Sequence, residues 1–528
     1  PAKCGHAPGQ KVPVHRRSCA AAARHRKICI TLQEPPADAP GDSRTRLLDA
    51  LGREHVRVTL SALQALYPAI RDGRGRVTVT LSPADEGWEL VRVEPGDTSQ
   101  RLFALALDIG TTTLEMELLH LPDGAVLSRA GCFNGQCAVG DNILDRIFYA
   151  KDEPEHLRHL QELVLESIRG LIAQCCEQAA VRPEEIAALG AAGNTTMMHL
   201  LLGCEPWQIF QSPYTPVFLD PGVHSARELG LSLDCNIFCM PAVANYLGGD
   251  ITSGLLLTDL DARDDPAVFL DVGTNGELAL GCREYLLAGA GAAGPALEGA
   301  VSKSGMRAEP GAVCRVRIDA ENRLHYETIG GAAPKGICGS GIVDLLAEGY
   351  LSGWISGDGS LNPDASPQIR PVWEEDSHRN VPAIIYAMSE RGPLYFTQDD
   401  IAEFIRCKAA AFTMVQTLLE AAGVSLDEVG TFYLSGGFGT HLDLESAITI
   451  GMYPDIPREK FRILGNSSLA GVKKLLTDRT QLDRVRYFAG QTAYVQFGTM
   501  EKFVENMTAA QFLPHTNAAL YPSVRRRR

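Results

Sequence analysis

The sequence lacks the features that would place a protein in or across a membrane. No apolar run approaches the roughly 18 residues that a membrane-spanning helix needs, and none opens the chain as a secretory signal would. These absences predict a protein of the cell interior, and we expect it in the cytoplasm.

Positive charge is also scarce. Against 64 aspartates and glutamates stand 49 lysines and arginines, which gives a formal net charge of −15 and a pI of about 5.4. A protein that binds nucleic acid needs a basic face to neutralise phosphates, so nucleic acid is excluded as the main partner. The one basic run, Arg525 to Arg528, ends the chain, and we interpret it as a solvated tail or a chain-end artefact.

Cysteines with the spacing of a metal site are missing. The chain has 14 cysteines, but none of them forms a C-x-x-C pair, so the sequence does not predict a zinc ribbon. The adjacent Cys175 and Cys176 lie in a helical pattern and are interpreted as core filling. We expect most of the thiols to be reduced.

Residues 1–30 are the least informative part of the chain. They hold Cys4, Cys19 and Cys29 among basic residues, and they begin with Pro1. A plant-type two-iron cluster needs four cysteines, three of them in a C-x4-C-x2-C run. Three cysteines at these spacings do not meet that requirement, so we interpret the stretch as a disordered or truncated leader.

Two similar strand-to-turn segments stand out in what the chain does contain. The first, FALALDIGTTT, carries Asp108 at the end of an apolar strand, and the second, AVFLDVGTNGE, carries Asp271 in the same place. Glycine, backbone amides and threonine hydroxyls after such a strand can face phosphate. The pair predicts two related lobes across a nucleotide, with these further phosphate-binding candidates: Gly110, Thr111, Thr112, Thr113, Gly273, Thr274, Asn275 and Gly276.

Two further glycine pairs are candidates for nucleotide contacts. Gly339 and Gly341 open a helix, where amide dipoles suit an anion, and Gly436 and Gly437 end a strand in a shape suited to adenine or ribose. The stretch around residues 355–380, with its prolines, aspartates and serines, is predicted to be flexible.

Other polar residues are ranked lower. Asp250, near a predicted helix start, and Glu277 are second-rank candidates for metal or water placement, and either could simply cap its helix or turn. His199, alone on a helix, is interpreted as packed. The AAGNTT segment before it predicts a strand that runs into a helix capped at Asn194 or Thr195.

The length of 528 residues predicts two to four domains. The polar turns near Glu94–Gln100 and Asp261–Pro266 suggest where they divide. We predict an unassigned leader over residues 1–30, a small α/β linker domain over 31–100, a first lobe over 101–262, and a second lobe with a C-terminal tail over 263–528.

From about Arg76 onward, the chain resembles the reductive activators of corrinoid-dependent proteins. That family belongs to the superfamily of acetate and sugar kinases, heat-shock chaperones and actin. The C-terminal FLPHTNAALYPSV looks like members linked to methylated-amine and other methyl-group metabolism. The blocks that carry the resemblance, in order, are DIGTTT, GDNILDRI, AAGNTTMMHLLLG, SPYTPVF, PAVANYLGGDITSGLL, LDVGTNGELAL, AGPALEGAVSKSGMRA, GICGSGIVDLL, DIAEFIRCKAAA, LSGGFGTHLD and GNSSLAGV.

The resemblance implies a two-lobed actin-like (ribonuclease H-like) ATPase fold preceded by a small α/β domain. It implies ATP and Mg²⁺ as cofactors, with Asp108 and Asp271 as catalytic and metal-binding carboxylates. Family members reduce the Co(II) corrinoid of a partner protein to Co(I) with electrons from a low-potential donor, driven by ATP. Many also carry an iron–sulfur domain, for which this chain shows no four-cysteine motif.

The corrinoid itself is expected on the partner. A corrinoid-binding Asp-x-His-x-x-Gly motif begins at Asp376 and His378, but Val381 stands where glycine is needed. Two other classes stay open: a small-molecule kinase with a substrate pocket between its lobes, and a nucleotide-switched binding protein of the chaperone type.

Overall fold

The computed structural model describes residues 17–19, 25–34, 41–52, 55–83, 87–273, 276–291, 301–374, 378–436 and 442–527. The chain forms two compact units. Unit 1 comprises residues 1–241 and 471–484, and unit 2 comprises residues 242–470 and 485–528. No helix in the described ranges is long and apolar enough to cross a membrane.

A small α/β module begins unit 1, and it includes the buried strand Arg26–Thr31, so the interpretation of residues 1–30 as a disordered leader is wrong for this strand. Its strands form one five-stranded sheet in the order β1-β2-β4-β5-β3, and buried Val77 and Val79 of β4 pack with Leu66 of α2. Helix α2 starts where the Thr59 hydroxyl accepts a hydrogen bond from the Ala62 amide. The elements are β1 (Arg17–Cys19), β2 (Arg26–Thr31), α1 (Ser43–Leu51), β3 (Val56–Val58), α2 (Leu60–Asp72), β4 (Arg76–Pro83) and β5 (Trp88–Pro95).

The rest of unit 1 is built on a six-stranded sheet in the order β10-β11-β9-β6-β7-β8. Strands β6, β7 and β8 form an antiparallel meander, and β9 lies parallel to β6. Helix α4 covers the meander with Leu160, Val164 and Ile168, which have the predicted helical spacing. The elements are β6 (Phe103–Ile109), β7 (Thr113–His120), β8 (Ala125–Phe133), α3 (Ile143–Ala150), α4 (Pro154–Ala179), β9 (Ile186–Gly193), α5 (Thr195–Leu201), α6 (Trp207–Phe210), β10 (Gly222–Ser225) and β11 (Asn236–Cys239).

Unit 2 repeats this strand arrangement. In its six-stranded sheet, ordered β22-β21-β12-β13-β14-β23, the strands β12, β13 and β14 form the antiparallel meander. Strand β21 lies parallel to β12, and β22 lies parallel to β21. The elements up to β20 are α7 (Gly249–Leu255), β12 (Ala267–Val272), β13 (Gly276–Cys282), β14 (Tyr285–Gly291), β15 (Ala312–Ile318), β16 (Leu324–Thr328), β17 (Gly336–Ile337), α8 (Gly339–Leu351), β18 (Ile369–Glu374), β19 (Arg379–Ser389) and β20 (Gly392–Thr397).

The repeated order of a meander followed by parallel strands confirms the prediction of two related lobes. Long helix α9 starts in a capping box, in which the side chains of Thr397 and Asp400 each bond the other's backbone amide, and it stops at Gly423 with φ of 67°. The remaining elements are α9 (Gln398–Ala422), β21 (Thr431–Ser435), α10 (Leu444–Thr449), β22 (Phe461–Gly465), α11 (Ser467–Thr477), α12 (Gln481–Gln491), β23 (Ala493–Tyr494) and α13 (Phe503–Ala509).

The prediction of a flexible stretch around residues 355–380 is wrong for its described part. The proline and aspartate near its middle form a short turn capped by Asn362. After this turn, β18 pairs with β19 over its full length, in a sheet ordered β18-β19-β20. Ile384 and Tyr386 of β19 are buried in the core of unit 2, which holds the segment in place.

The interpretation of Arg525 to Arg528 as a solvated tail is only partly right: Arg525, Arg526 and Arg527 are exposed, but the last two also contact other parts of unit 2. The Arg527 guanidinium donates to both carboxylate oxygens of Glu348, at 2.8 and 2.9 Å, and to the Ile318 carbonyl oxygen at 2.7 Å. Arg526 lies over the Tyr350 ring, 4.5 Å from its centroid. A forked, charge-assisted pair of this kind fixes the end of the chain against α8.

Candidate functional site

The first Asp-x-Gly-Thr segment lies at the carboxyl end of β6, as predicted. Asp108 pairs in register with Ala192 of the parallel strand β9 and with Glu115 of β7. The turn that follows is tight, because the Gly110 amide donates to the Thr113 carbonyl oxygen at 2.9 Å. A Cβ atom on Gly110 would lie 2.7 Å from that same oxygen, so only glycine fits.

Three successive carbonyl groups of this turn are held from one side. Asn134 donates its side-chain amide to the Gly110 oxygen at 3.0 Å and its backbone amide to the Thr112 oxygen at 2.9 Å. Between them, the Arg146 guanidinium donates to the Thr111 oxygen at 2.6 Å. The conformation of the loop is therefore set by two buried side chains that follow it in the chain.

A third residue reaches the loop from the neighbouring strand. Asn194, directly after β9, caps α5 by accepting a hydrogen bond from the Met197 amide at 2.9 Å. Its side-chain amide also donates to the Thr111 hydroxyl at 3.1 Å. This confirms the predicted cap and adds a contact that the sequence did not predict.

The second segment ends β12 in unit 2, also as predicted. Asp271 pairs in register with Glu277 of β13 and with Ser435 of β21. The Ser435 hydroxyl donates to the Asp271 carboxylate at 2.9 Å and is itself hydrogen-bonded to the Ser467 hydroxyl. Burial raises the pKa of Asp271 to about 6, and the Ser435 hydrogen bond opposes the rise.

Other buried polar groups lie near Asp271. The Tyr453 hydroxyl is buried without a hydrogen-bond partner among the described residues. Burial raises the pKa of Tyr453, and the negative charge of Asp271 adds to the rise. An ionised Asp271 therefore stands in poorly solvated surroundings, where a cation would be strongly favoured.

The remaining predicted nucleotide residues fall into two groups. Gly273 and Gly276 flank the second turn, and Gly436 follows β21 with φ of 94°, its amide donating to the Gly465 oxygen at 3.1 Å. Thr274, Asn275 and Gly437 lie outside the described residues, as does Cys4.

Gly339 and Gly341 begin α8, as predicted, but both are buried. A Cβ atom on Gly341 would lie only 2.2 Å from the Val313 carbonyl oxygen. This close packing of the helix start on β15 already accounts for glycine at 341. The binding role of this pair stays a prediction.

The lower-ranked residues have local partners. His199 is buried and neutral: its Nδ1 lies 2.7 Å from the Thr195 oxygen, its Nε2 accepts from the Val217 amide, and burial lowers its pKa. The packed interpretation is thus confirmed. Asp250 lies in the first turn of α7 and accepts from the Ile251 amide.

The cysteines whose side chains the structure describes are free thiols. Cys175 and Cys176 are buried core residues, as predicted, and burial raises the pKa of both. Within the described residues, no group of three or more His, Cys, Asp or Glu side chains is arranged to hold a metal ion.

Known proteins match this chain along most of its length. Family descriptions match in succession: the RACo linker region over residues 15–100, the RACo middle region over 103–263, and the C-terminal, ASKHA domain of RACo over 265–525. The corrinoid activation enzyme RamQ of Eubacterium limosum is 30% identical over 446 residues, which are 82% of this chain and 74% of that protein. The chain belongs to the RACo family.

Two further similar proteins support this membership. A solved structure of a reductive activator for corrinoid,iron-sulfur protein matches with a TM-score of 0.87 and 36% identity, covering 98% of this chain and 82% of that one. The [Co(II) methylated amine-specific corrinoid protein] reductase of Methanosarcina barkeri is 24% identical over 436 residues, which are 76% of this chain and 75% of that protein. The predicted resemblance and the actin-like fold are confirmed.

Sequence reasoning missed Asn134, Arg146 and Asn194 as residues that shape the first loop. Two of them stood in conspicuous segments, because GDNILDRI contains Arg146 and AAGNTT contains Asn194. A buried arginine in a mainly apolar helix face is the signal that could have indicated a fixed acceptor nearby.

Proposed function

We propose that the protein is an ATP-dependent reductive activator of a corrinoid protein and acts in the cytoplasm. Its substrate is the inactive Co(II) corrinoid of that partner, which takes one electron from a low-potential donor and becomes Co(I). ATP and water are converted to ADP and phosphate in the same cycle. The observation that carries the proposal is the match to a reductive activator over 98% of this chain.

The two relatives with curated names support the choice of substrate. One is named as a corrinoid activation enzyme and the other as a reductase of a Co(II) corrinoid protein. The match to both extends over about three quarters of their length. We therefore assign the same class of partner, a corrinoid protein of a methyltransferase system, to this chain.

The residues present fit ATP and Mg²⁺. Mg²⁺ is usually held by one or two carboxylates together with substrate phosphates and water, so it needs no cage of protein ligands. Asp108 and Asp271, each at the end of a sheet strand, would supply those carboxylates, and bound Mg²⁺ would neutralise charge on the phosphates. Asp271 is partly exposed, and burial still raises its pKa despite the hydrogen bond from Ser435, so its carboxylate suits such a cation.

The loop residues would position the phosphates. Gly110 with Thr111 to Thr113 in unit 1, and the sequence Gly273 to Gly276 in unit 2, are proposed to supply amides and hydroxyls for this purpose. Gly436 and Gly437 are proposed for adenine or ribose, and Gly339 and Gly341 for a phosphate at the start of α8. Phosphoryl transfer in such sites depends on positioning and electrostatics.

ATP can assist an uphill reduction only if it binds two arrangements of the protein with different affinities. A ligand with equal affinity for two arrangements shifts neither, so ATP must favour the arrangement in which the corrinoid protein is docked and its Co(II) is easier to reduce. We therefore propose that the protein alternates between two such arrangements during its cycle.

The experiment that tests this proposal is ATP hydrolysis in the presence of candidate partners. We expect turnover to rise when a corrinoid protein in the Co(II) state is added, and to stay at its basal rate with the same protein in the Co(I) state. The alternative, a small-molecule kinase of the same superfamily, would ignore corrinoid proteins. Accumulation of a phosphorylated sugar or carboxylate, with no response to any corrinoid protein of a panel, would favour that alternative.

A further inference from the structure

Arg146 is a buried cation whose donors all have partners. Its side chain is 0% exposed. The Nε group donates to the Gly140 oxygen at 2.9 Å, one terminal nitrogen to the Gln136 Oε1 at 3.1 Å, and the other to the Thr111 oxygen at 2.6 Å. The sulfurs of Met197 and Cys137 complete the set, at 3.3 and 3.5 Å.

This cation has no direct ionic partner. Within the described residues it contacts carbonyl, amide and sulfur groups, while Asp141 and Asp145 act on it only as more distant charges. Burying an unpaired guanidinium is costly, and satisfied hydrogen bonds recover only part of that cost. A buried guanidinium without a direct ion pair therefore lies against the Thr111 carbonyl of the first loop, and its charge would favour an anion bound at that loop.

The same contacts fix the direction of the loop's amide groups. In a trans peptide the carbonyl and the following N–H point to opposite sides. Because Asn134 and Arg146 hold the carbonyls of Gly110, Thr111 and Thr112 from one side, the N–H groups of the next residues face away from Arg146. Successive amides turned to one side form an anion-binding concavity.

We propose that Arg146 is a positioning residue for phosphate: it locks the Gly110–Thr112 carbonyls on its own side, turns the loop amides toward the nucleotide, and adds a buried positive charge behind them. The inference rests on the proposed function, since it assigns to Arg146 the task of shaping the loop in unit 1 that binds the triphosphate of ATP. Arg146 touches the loop and not the reacting atoms.

The test compares Arg146→Met, which removes charge and donors, with Arg146→Lys, which keeps the charge but not the fork. Ile147→Val, a conservative change of the next buried residue, is the matched control. Binding of MgATP, of inorganic tripolyphosphate and of adenosine is measured by calorimetry, with circular dichroism and melting temperature as checks on folding.

A charge-assisted hydrogen bond lost from the loop predicts that Arg146→Met binds MgATP and tripolyphosphate about tenfold or more weakly. Arg146→Lys should recover part of that loss, and adenosine affinity should stay within about twofold in all variants because the base does not use this loop. A merely structural role would instead lower the affinity for all three ligands together, or for none.

Each outcome supports or overturns either the proposed function or the inference about Arg146. If the wild-type chain binds no MgATP, the proposed function fails and this inference fails with it. If the wild type binds MgATP and folded Arg146→Met or Arg146→Lys binds it equally well, only the inference about Arg146 is overturned. Should Arg146→Met not fold, Arg146→Lys alone decides, since its loss of the fork still predicts weaker binding of tripolyphosphate but not of adenosine.

Discussion

Replacing Asp271 by asparagine should make the metal-free protein more stable at neutral pH while abolishing its activity. Burial raises the pKa of this carboxyl from 3.8 to about 6 in the folded state. A raised pKa means that the folded state holds its proton more tightly than the unfolded state, so stability falls as pH rises from about 4 to about 6. Above about pH 6, the folded state carries the full free-energy cost of the buried charge.

The size of this cost follows from the shift. About two pKa units at 1.36 kcal/mol each correspond to about 3 kcal/mol. Asparagine keeps an oxygen that can accept from the Ser435 hydroxyl but carries no charge, so most of this free energy should be recovered. In a unit of this size, about 3 kcal/mol corresponds to a rise in melting temperature of roughly 6 °C.

The assay is calorimetric melting in EDTA at pH 7.5 and at pH 5. Asp271→Asn should melt well above the wild type at pH 7.5, and the difference should shrink at pH 5. Asp265→Asn is the control with the opposite sign, because Arg263 lowers the pKa of Asp265 and its charge is stabilising in the folded state. Equal melting of Asp271→Asn and the wild type at pH 7.5 would refute the claim of a poorly solvated carboxylate.

Three other predictions concern catalysis, the C-terminal segment and the leader. Asp271→Ala should keep the fold but lose ATP hydrolysis, since a missing carboxylate costs several kcal/mol of barrier; full ATPase activity in this variant would disprove the role of the second loop. Lys408→Met should speed proteolysis near the C-terminus, because the buried Lys408 amine donates to the Pro514 oxygen at 2.6 Å; Lys460→Met, whose amine contacts another segment, should not. The 528-residue chain should stay colourless after anaerobic iron–sulfur reconstitution, and a stable cluster absorbance lost on mutating the cysteines of residues 1–30 would contradict our inference that their spacing does not hold a cluster.

Local pattern was enough to predict the framework of the two loops. Strands that end in Asp-x-Gly, and the glycine that stops α9 at Gly423, are signals contained within a few neighbouring residues. The resemblance of eleven ordered blocks then predicted the family and the fold. Both kinds of signal are independent of how distant segments pack.

Contacts between distant segments were not predictable in this way. Arg146 reaches the Thr111 oxygen across 35 residues of sequence, and Arg527 reaches Glu348 across 179. Composition alone indicated a solvated tail at Arg527 and flexibility near residue 370. In the structure, Arg527 pairs with Glu348, and the segment near residue 370 forms β18, which pairs with β19. Tertiary partners thus overrode local composition at these positions.

The most direct test of the account is the oxidation state of a partner corrinoid. The protein, ATP, Mg²⁺ and a low-potential reductant are mixed anaerobically with a Co(II) corrinoid protein, and the absorption spectrum is followed. We predict that Co(I) forms only when ATP and the wild-type chain are both present, and that Asp271→Ala or a non-hydrolysable ATP analogue does not sustain it. Equal formation of Co(I) without ATP, or none with ATP across a panel of corrinoid proteins, would contradict the account.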